Sequence, residues 1–186
     1  DRYTNRMIGG WEMPASWLQS VNPIFIILLS PVFGWLWITL AKRHLEPNTP
    51  VKFSFGLIFL GLGFAVMAIA SGIVATGNNV LPTWLIITYL LHTTGELSFS
   101  PVGLSAVTKL SPKKLVGQMM GVWFMSVALG NLIAGLVAGE FDESSIAANP
   151  NVLPDLFWFI TQFTIGAGIL MLILTPLMRK LMGNVR

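Results

Sequence analysis

The chain has 186 residues, of which 54% are hydrophobic and 10% charged, against about 25% charged in ordinary soluble domains. That balance excludes a conventional soluble globule and makes the apolar span of about 20 residues the unit in which the chain is read. There is no cysteine, His44 and His92 are too far apart to suggest a ligand pair, and the net charge of +3 comes from clusters at span ends, so a disulfide framework, a thiolate metal site and a nucleic-acid stripe are all excluded.

Residues 1–16 are polar and turn-rich, with Gly9, Gly10 and Pro14. Trp11, and Trp17 just beyond, suit the headgroup belt, so this segment is expected to be a loop at the membrane surface. The first span covers residues 17–41 and carries Gln19, Ser20, Asn22, Pro23 and Pro31. Proline removes a backbone donor, which predicts a bent helix whose freed carbonyls need neighbouring protein or water. Gln19 and Asn22 fall on one face; Asn22 offers a donor and an acceptor to a ligand, while Gln19 reads better as a cap or bridge.

The second span, residues 53–76, has no ionisable group, and its Gly56, Gly61 and Gly63 are expected to let a neighbouring helix approach closely. The third, residues 84–108, holds Glu96 twelve residues in, near the bilayer midplane. A charged group there costs about 2.5–3.5 kcal/mol on insertion scales, so an intramembrane acid is read first as functional. His92, Glu96 and Ser100 form an i, i+4, i+8 row with Thr93 beside it. The competing reading is a structural Glu96, paired with His92 or protonated. Pro101 and Gly103 are expected to weaken the helix just past Glu96, as a hinge or as a static kink.

The fourth span, residues 115–139, has Gly117 and Gly121, then Gly135 and Gly139, at the four-residue interval of small-residue helix contacts. Trp123 lies deeper than an aromatic belt requires, either as a pocket wall or as packing, and Asn131 reads as an interhelical hydrogen-bonding residue. After an acidic loop over residues 140–155, the fifth span covers 156–178 and ends at Arg179 and Lys180.

Nine of the eleven Lys and Arg residues fall in 42–52, 109–114 and 179–186, whereas the other side holds Arg2 and Arg6 with most of the acids. Short basic loops are cytoplasmic, so the 1–16 and 140–155 segments are expected outside and the C-terminus inside. The chain opens at Asp1 with neither methionine nor a signal-type segment, which suggests part of a longer protein. One more helix before Asp1 would complete a six-helix half-unit. No span contains Lys or Arg, so a substrate amine is met by Glu96 and a substrate carboxylate by some other part of the protein.

The motifs GELSFSPVGLSAVTKLSP and VGQMMGVWF, with SWLQSVNPIFI in the first span, closely resemble the C-terminal half of the proton-dependent oligopeptide transporters, a branch of the major facilitator superfamily. The resemblance runs from about Trp17 to the end. It implies an all-α integral membrane bundle, with five transmembrane helices forming most of the C-terminal six-helix bundle of a bacterial di- and tripeptide permease in the inner membrane. It further implies that Asn22 and Glu96 receive the peptide's N-terminal amine, that Ser100 lines the same pocket, and that Trp123 walls it. Gln19 and Pro101 are candidates for gating or pocket support. The implied partners are di- and tripeptides, protons as the co-transported ion, the lipid bilayer and an N-terminal half that supplies a gating lysine, proton-coupling glutamates and a carboxylate-binding arginine. No cofactor, metal or nucleic acid is implied. His92 lies outside these motifs and receives no role from them. A carrier of nitrate or another small solute, and a non-transporting membrane subunit in which Glu96 is an assembly contact, are the alternatives; the absence of a nucleophile–base pair argues against an enzyme.

Overall fold

A computed structural model describes residues 4, 7–8, 10–139, 146 and 149–182. Arg2, Arg6, Glu140, Asp142, Glu143 and Arg186, used above in the charge count, lie outside the described residues. Strands β1 (Met7–Ile8) and β2 (Trp11–Glu12) form a short antiparallel hairpin in the segment expected to be a loop. It turns at Gly10, whose φ of +87° suits a residue without Cβ. All other elements among the described residues are helical: α1 (Ala15–Gln19), α2 (Val21–Lys42), α3 (Thr49–Ala75), α4 (Thr83–Leu110), α5 (Val116–Gly139) and α6 (Val152–Met182).

The expected first span is split between α1 and α2 at Ser20. Pro23 has no N–H to return to the Gln19 carbonyl, so the hydrogen-bond ladder is interrupted there. At Pro31 the helix continues, and the Ser30 hydroxyl donates to the Ile26 carbonyl at 2.5 Å. α4 likewise runs through Pro101 and Gly103 without a break.

The helices run past the apolar spans because helix signals continue where hydropathy stops. α3 begins at Thr49, with Asn48 extended before it and Pro50 in its first turn, where a missing N–H is harmless. Among the described residues, four helical segments (Ser16–Lys42, α3, α5 and α6) are long and apolar enough to cross a bilayer. α4 has 28 residues, about 42 Å at 1.5 Å per residue, which is ample length. Its Thr, Ser, His and Glu residues lower its hydropathy, and they are the same residues that single it out functionally.

α3 is the hub. It packs most extensively on α6 and α4, while α2 and α5 each meet α4. Glycines make these contacts close. A Cβ on Gly56 would lie 2.9 Å from Phe99 Cβ and 3.0 Å from the Gly95 carbonyl of α4. On Gly61 it would lie 2.5 Å from Ile165 Cγ1 of α6, and on Gly168 it would lie 2.9 Å from Ile58 Cγ1 of α3. The expectation for Gly56, Gly61 and Gly63 is met, but a Cβ on Gly117, Gly121, Gly135 or Gly139 would meet nothing within 4 Å among the described residues. No residue of α2 or α5 is buried.

The two ends of the bundle are lined differently. At one end Thr4 bridges Val80, and both line a 480 Å³ apolar cavity together with Ile146 and Pro150. At the other, Glu46, Lys52 and Lys109 line a 340 Å³ cavity. Lys52, counted above as a loop cation, is instead a buried residue of α3. Its ammonium pairs with Glu46 at 2.5 Å and lies 4.8 Å from the centre of the Trp37 ring, a cation–π contact that ties the C-terminal part of α2 to α3.

Candidate functional site

A cavity of about 370 Å³ lies where the start of α2 meets α3 and the middle of α4, within the roughly 300–1,000 Å³ of small-molecule sites. Asn22, Glu96 and Ser100 all line it, together with Gly56, Leu57, Leu60, Tyr89, His92, Gly95 and Phe99. Three residues singled out from the sequence therefore converge on one space. Helical periodicity brings them there: Ser100 is one turn beyond Glu96, and Asn22 enters from the first turn of α2.

Glu96 is an exposed residue in this cavity, with no hydrogen bond or ion pair among the described residues. The suggested pairing with His92 is not made; the His92 ring turns to α3, where it packs on Phe64 with centroids 4.8 Å apart. Asn22 is held from the side. The Thr93 hydroxyl donates to Asn22 Oδ1 at 2.5 Å, and Thr93 is fully buried. Because Oδ1 is engaged, the Asn22 amide N–H₂ is the part left for a ligand, so an acid on α4 and an amide donor on α2 share the cavity. Such a pair can take a cation at Glu96 and an acceptor at Asn22.

Trp123 is not in that cavity. It lines a neighbouring 450 Å³ space with Phe53 and Gly103, and its ring stacks on Phe99 with centroids 6.0 Å apart and planes at 29°. Phe53 meets the same Phe99 ring at 4.4 Å. Phe99 thus lines the cavity of the acid and stacks on Trp123, linking the two spaces. Gly103 is the seat of Trp123: a Cβ there would overlap Trp123 Cη2 and lie 2.8 Å from Cζ2. Gln19 is exposed on α1 and lines none of these spaces, while Pro101 lines the 340 Å³ cavity at the Lys52 end.

Tyr89 and Phe99 are parts of the site that the sequence reading does not name, and Thr93, placed there beside the polar row, gains its partner Asn22 only in the structure. Tyr89 and Phe99 lie seven residues before and three after Glu96, spacings that share a helix face, so the periodicity contained them. The Thr93–Asn22 bond, between residues 71 apart in sequence, left no local signal.

Long apolar helices with an acid, an amide and a hydroxyl gathered in one cavity are the marks of an integral membrane protein that handles a polar solute. Residues 2–158 match the PTR2 model of the POT family, and the chain belongs to that family, which is one of transporters and not of enzymes. It is similar to the peptide transporter YePEPT of Yersinia enterocolitica subsp. palearctica, with 43% identity over 185 residues, 98% of this chain and 35% of the relative. It is 35% identical to a di-/tripeptide transporter of Lactococcus lactis subsp. cremoris over 184 residues, 95% of this chain and 34% of that one. The chain thus spans about a third of the length of these relatives. Among solved structures, it superposes with a TM-score of 0.82 and 35% identity on a peptide transporter POT in complex with sulfate, covering 94% of this chain and 34% of that one. It superposes with a TM-score of 0.76 and 29% identity on a POT family transporter in complex with a thioalcohol-conjugated peptide, covering 91% and 33%. These likenesses bear out the all-α membrane bundle of a major facilitator fold.

Proposed function

We propose that the complete protein carries di- and tripeptides inward together with protons by alternating access, and that this chain supplies most of its C-terminal bundle. The observation that carries the reading is the convergence of Glu96, Asn22 and Ser100 on one 370 Å³ cavity with Glu96 unpaired among the described residues. In this reading Glu96 accepts the N-terminal ammonium of the peptide, Asn22 donates to its first carbonyl, Ser100 extends the polar wall, and Trp123 sets its far side by bracing Phe99. Gln19 and Pro101 flank the site without lining it, and their part is support of the helix ends around it. An N-terminal half of the same transporter supplies the cation for the peptide carboxylate and the groups that couple the proton. Protons are the co-transported ion, and no cofactor takes part. The membrane is the bacterial inner membrane, with the Lys52 end of the bundle and the C-terminus in the cytoplasm.

The relatives named as peptide transporters support this substrate class. A carboxylate on a helix lining a midplane cavity is also the physical requirement for an amine-recognising carrier. Reconstituting the full-length transporter with Glu96→Gln is the test. Proton-driven dipeptide uptake is expected to fall to background while the protein inserts in normal amount. Uptake at the unsubstituted level refutes the assignment.

A further inference from the structure

His92 is a polar residue in the cavity wall that the transport reading leaves without a task. Its ring is set into α3 at Gly63, where a Cβ would overlap His92 Cδ2 and lie 2.5 Å from Nε2. It packs on Phe64, which stacks on Phe157 of α6 with centroids 6.2 Å apart and planes at 28°. Nε2 meets no hydrogen-bond partner among the described residues, so at that edge the seat is one of shape, while the ring also interacts with the Leu60 backbone of α3. Two turns away along α3, the backbone at Gly56 meets the backbone at Gly95, where a Cβ on Gly95 would lie 2.8 Å from the Gly56 carbonyl oxygen. Gly95 immediately precedes Glu96, and His92 is one helical turn before it.

Two notches in α3 therefore hold α4 at the point where Glu96 leaves the helix. A rotation of α4 that turned Glu96 out of the cavity would lift the His92 ring from Gly63 and drive Gly95 against Gly56. We infer that His92 is a positioning residue for Glu96: its ring, keyed into Gly63, fixes the rotation of α4 and so aims the carboxylate at the substrate amine. The inference rests on the reading of Glu96 as the amine site.

The geometry prescribes a size-exchange test in the full-length transporter reconstituted in liposomes. The readout is the competition constant of dialanine, which has a free amine, against that of N-acetyl-dialanine, which does not. Gly63→Ala places a methyl where the ring sits and is expected to weaken dialanine at least tenfold with N-acetyl-dialanine unchanged. Gly63→Ala combined with His92→Ala relieves the clash but also removes the key, and is expected to regain part of that loss, no further than the level His92→Ala alone reaches. His92→Phe keeps a ring in the notch and is expected to stay within about twofold of the parent. Should Gly63→Ala fail to fold, His92→Ala alone is expected to erode the preference for the free amine. An unchanged ratio in Gly63→Ala, no recovery in the double variant, or equal losses for both peptides overturns the inference, the last being what a merely structural contact gives. Glu96→Gln, read by competition for binding of a labelled dipeptide because its uptake is expected at background, separates the two levels: if it keeps the amine preference, the reading of the site falls and this inference with it. If it loses the preference while Gly63→Ala keeps it, only the role of His92 falls.

Discussion

The Glu46–Lys52 pair predicts unequal damage from its two halves. Lys52 is 9% exposed in its side chain and Glu46 35%, so only the carboxylate has ready access to water if its partner is lost. Glu46→Ala leaves a buried ammonium facing an aromatic ring. Orphaning a buried charge costs about 3–5 kcal/mol; the Trp37 ring at 4.8 Å offsets about 1–2 kcal/mol of that, for a net loss of about 1–4 kcal/mol. Lys52→Met keeps an apolar stem in place and lets Glu46 turn to solvent, and the loss is about 1 kcal/mol, the scale of a partly exposed pair. The double variant removes both charges and is expected to lie near Lys52→Met, well short of the sum. Equilibrium unfolding of the full-length protein in mixed micelles measures all three. If Lys52→Met proves as damaging as Glu46→Ala, or if the two losses simply add, the picture of a buried lysine held by its acid is wrong.

Two further substitutions probe the packing around the site. Thr93→Val removes the hydroxyl that donates to Asn22 and leaves that amide oxygen unsatisfied; a loss of about 1–3 kcal/mol in stability is expected, with weaker dipeptide binding measured by competition as Asn22 becomes free to rotate. Gly103→Ala pushes a methyl into the Trp123 ring and is expected to destabilise by about 1–3 kcal/mol, as overpacking does; trimming the ring with Trp123→Leu in the same chain should relieve much of that cost in the same unfolding assay.

How much was legible in the sequence depended on whether the signal was local. Apolar runs gave the long helices, and spacing on α4 put Glu96 and Ser100 on one face. Gly56, Gly61 and Gly63 were legible as contacts because three small residues lay on one otherwise apolar helix. The same kind of spacing at Gly117, Gly121, Gly135 and Gly139 makes no contact within 4 Å among the described residues. A glycine records that a helix may be approached, not that a neighbour is there. Lys52 was taken for a loop residue because hydropathy marks where the apolar run starts, whereas Asn48 and Pro50 mark where the helix starts. Trp123 was placed against the substrate by motif, but its stacking on the Phe99 ring is a fact of tertiary packing. The Thr93 bond to Asn22 joins two helices across the bundle, and no window along the chain contains both.

The notches in α3 have a meaning in terms of sequence space. At Gly56, Gly61 and Gly63, the neighbouring helix occupies the volume a side chain would need, so α3 encodes its place in the bundle partly by atoms it omits. A hydropathy comparison of two such helices scores these positions as nearly neutral, yet any side chain placed there must displace a neighbouring helix's atoms. The information content of this helix is therefore concentrated where its chemistry is emptiest, and a designer wishing to redirect the bundle would alter those few hydrogens before touching any of the larger residues.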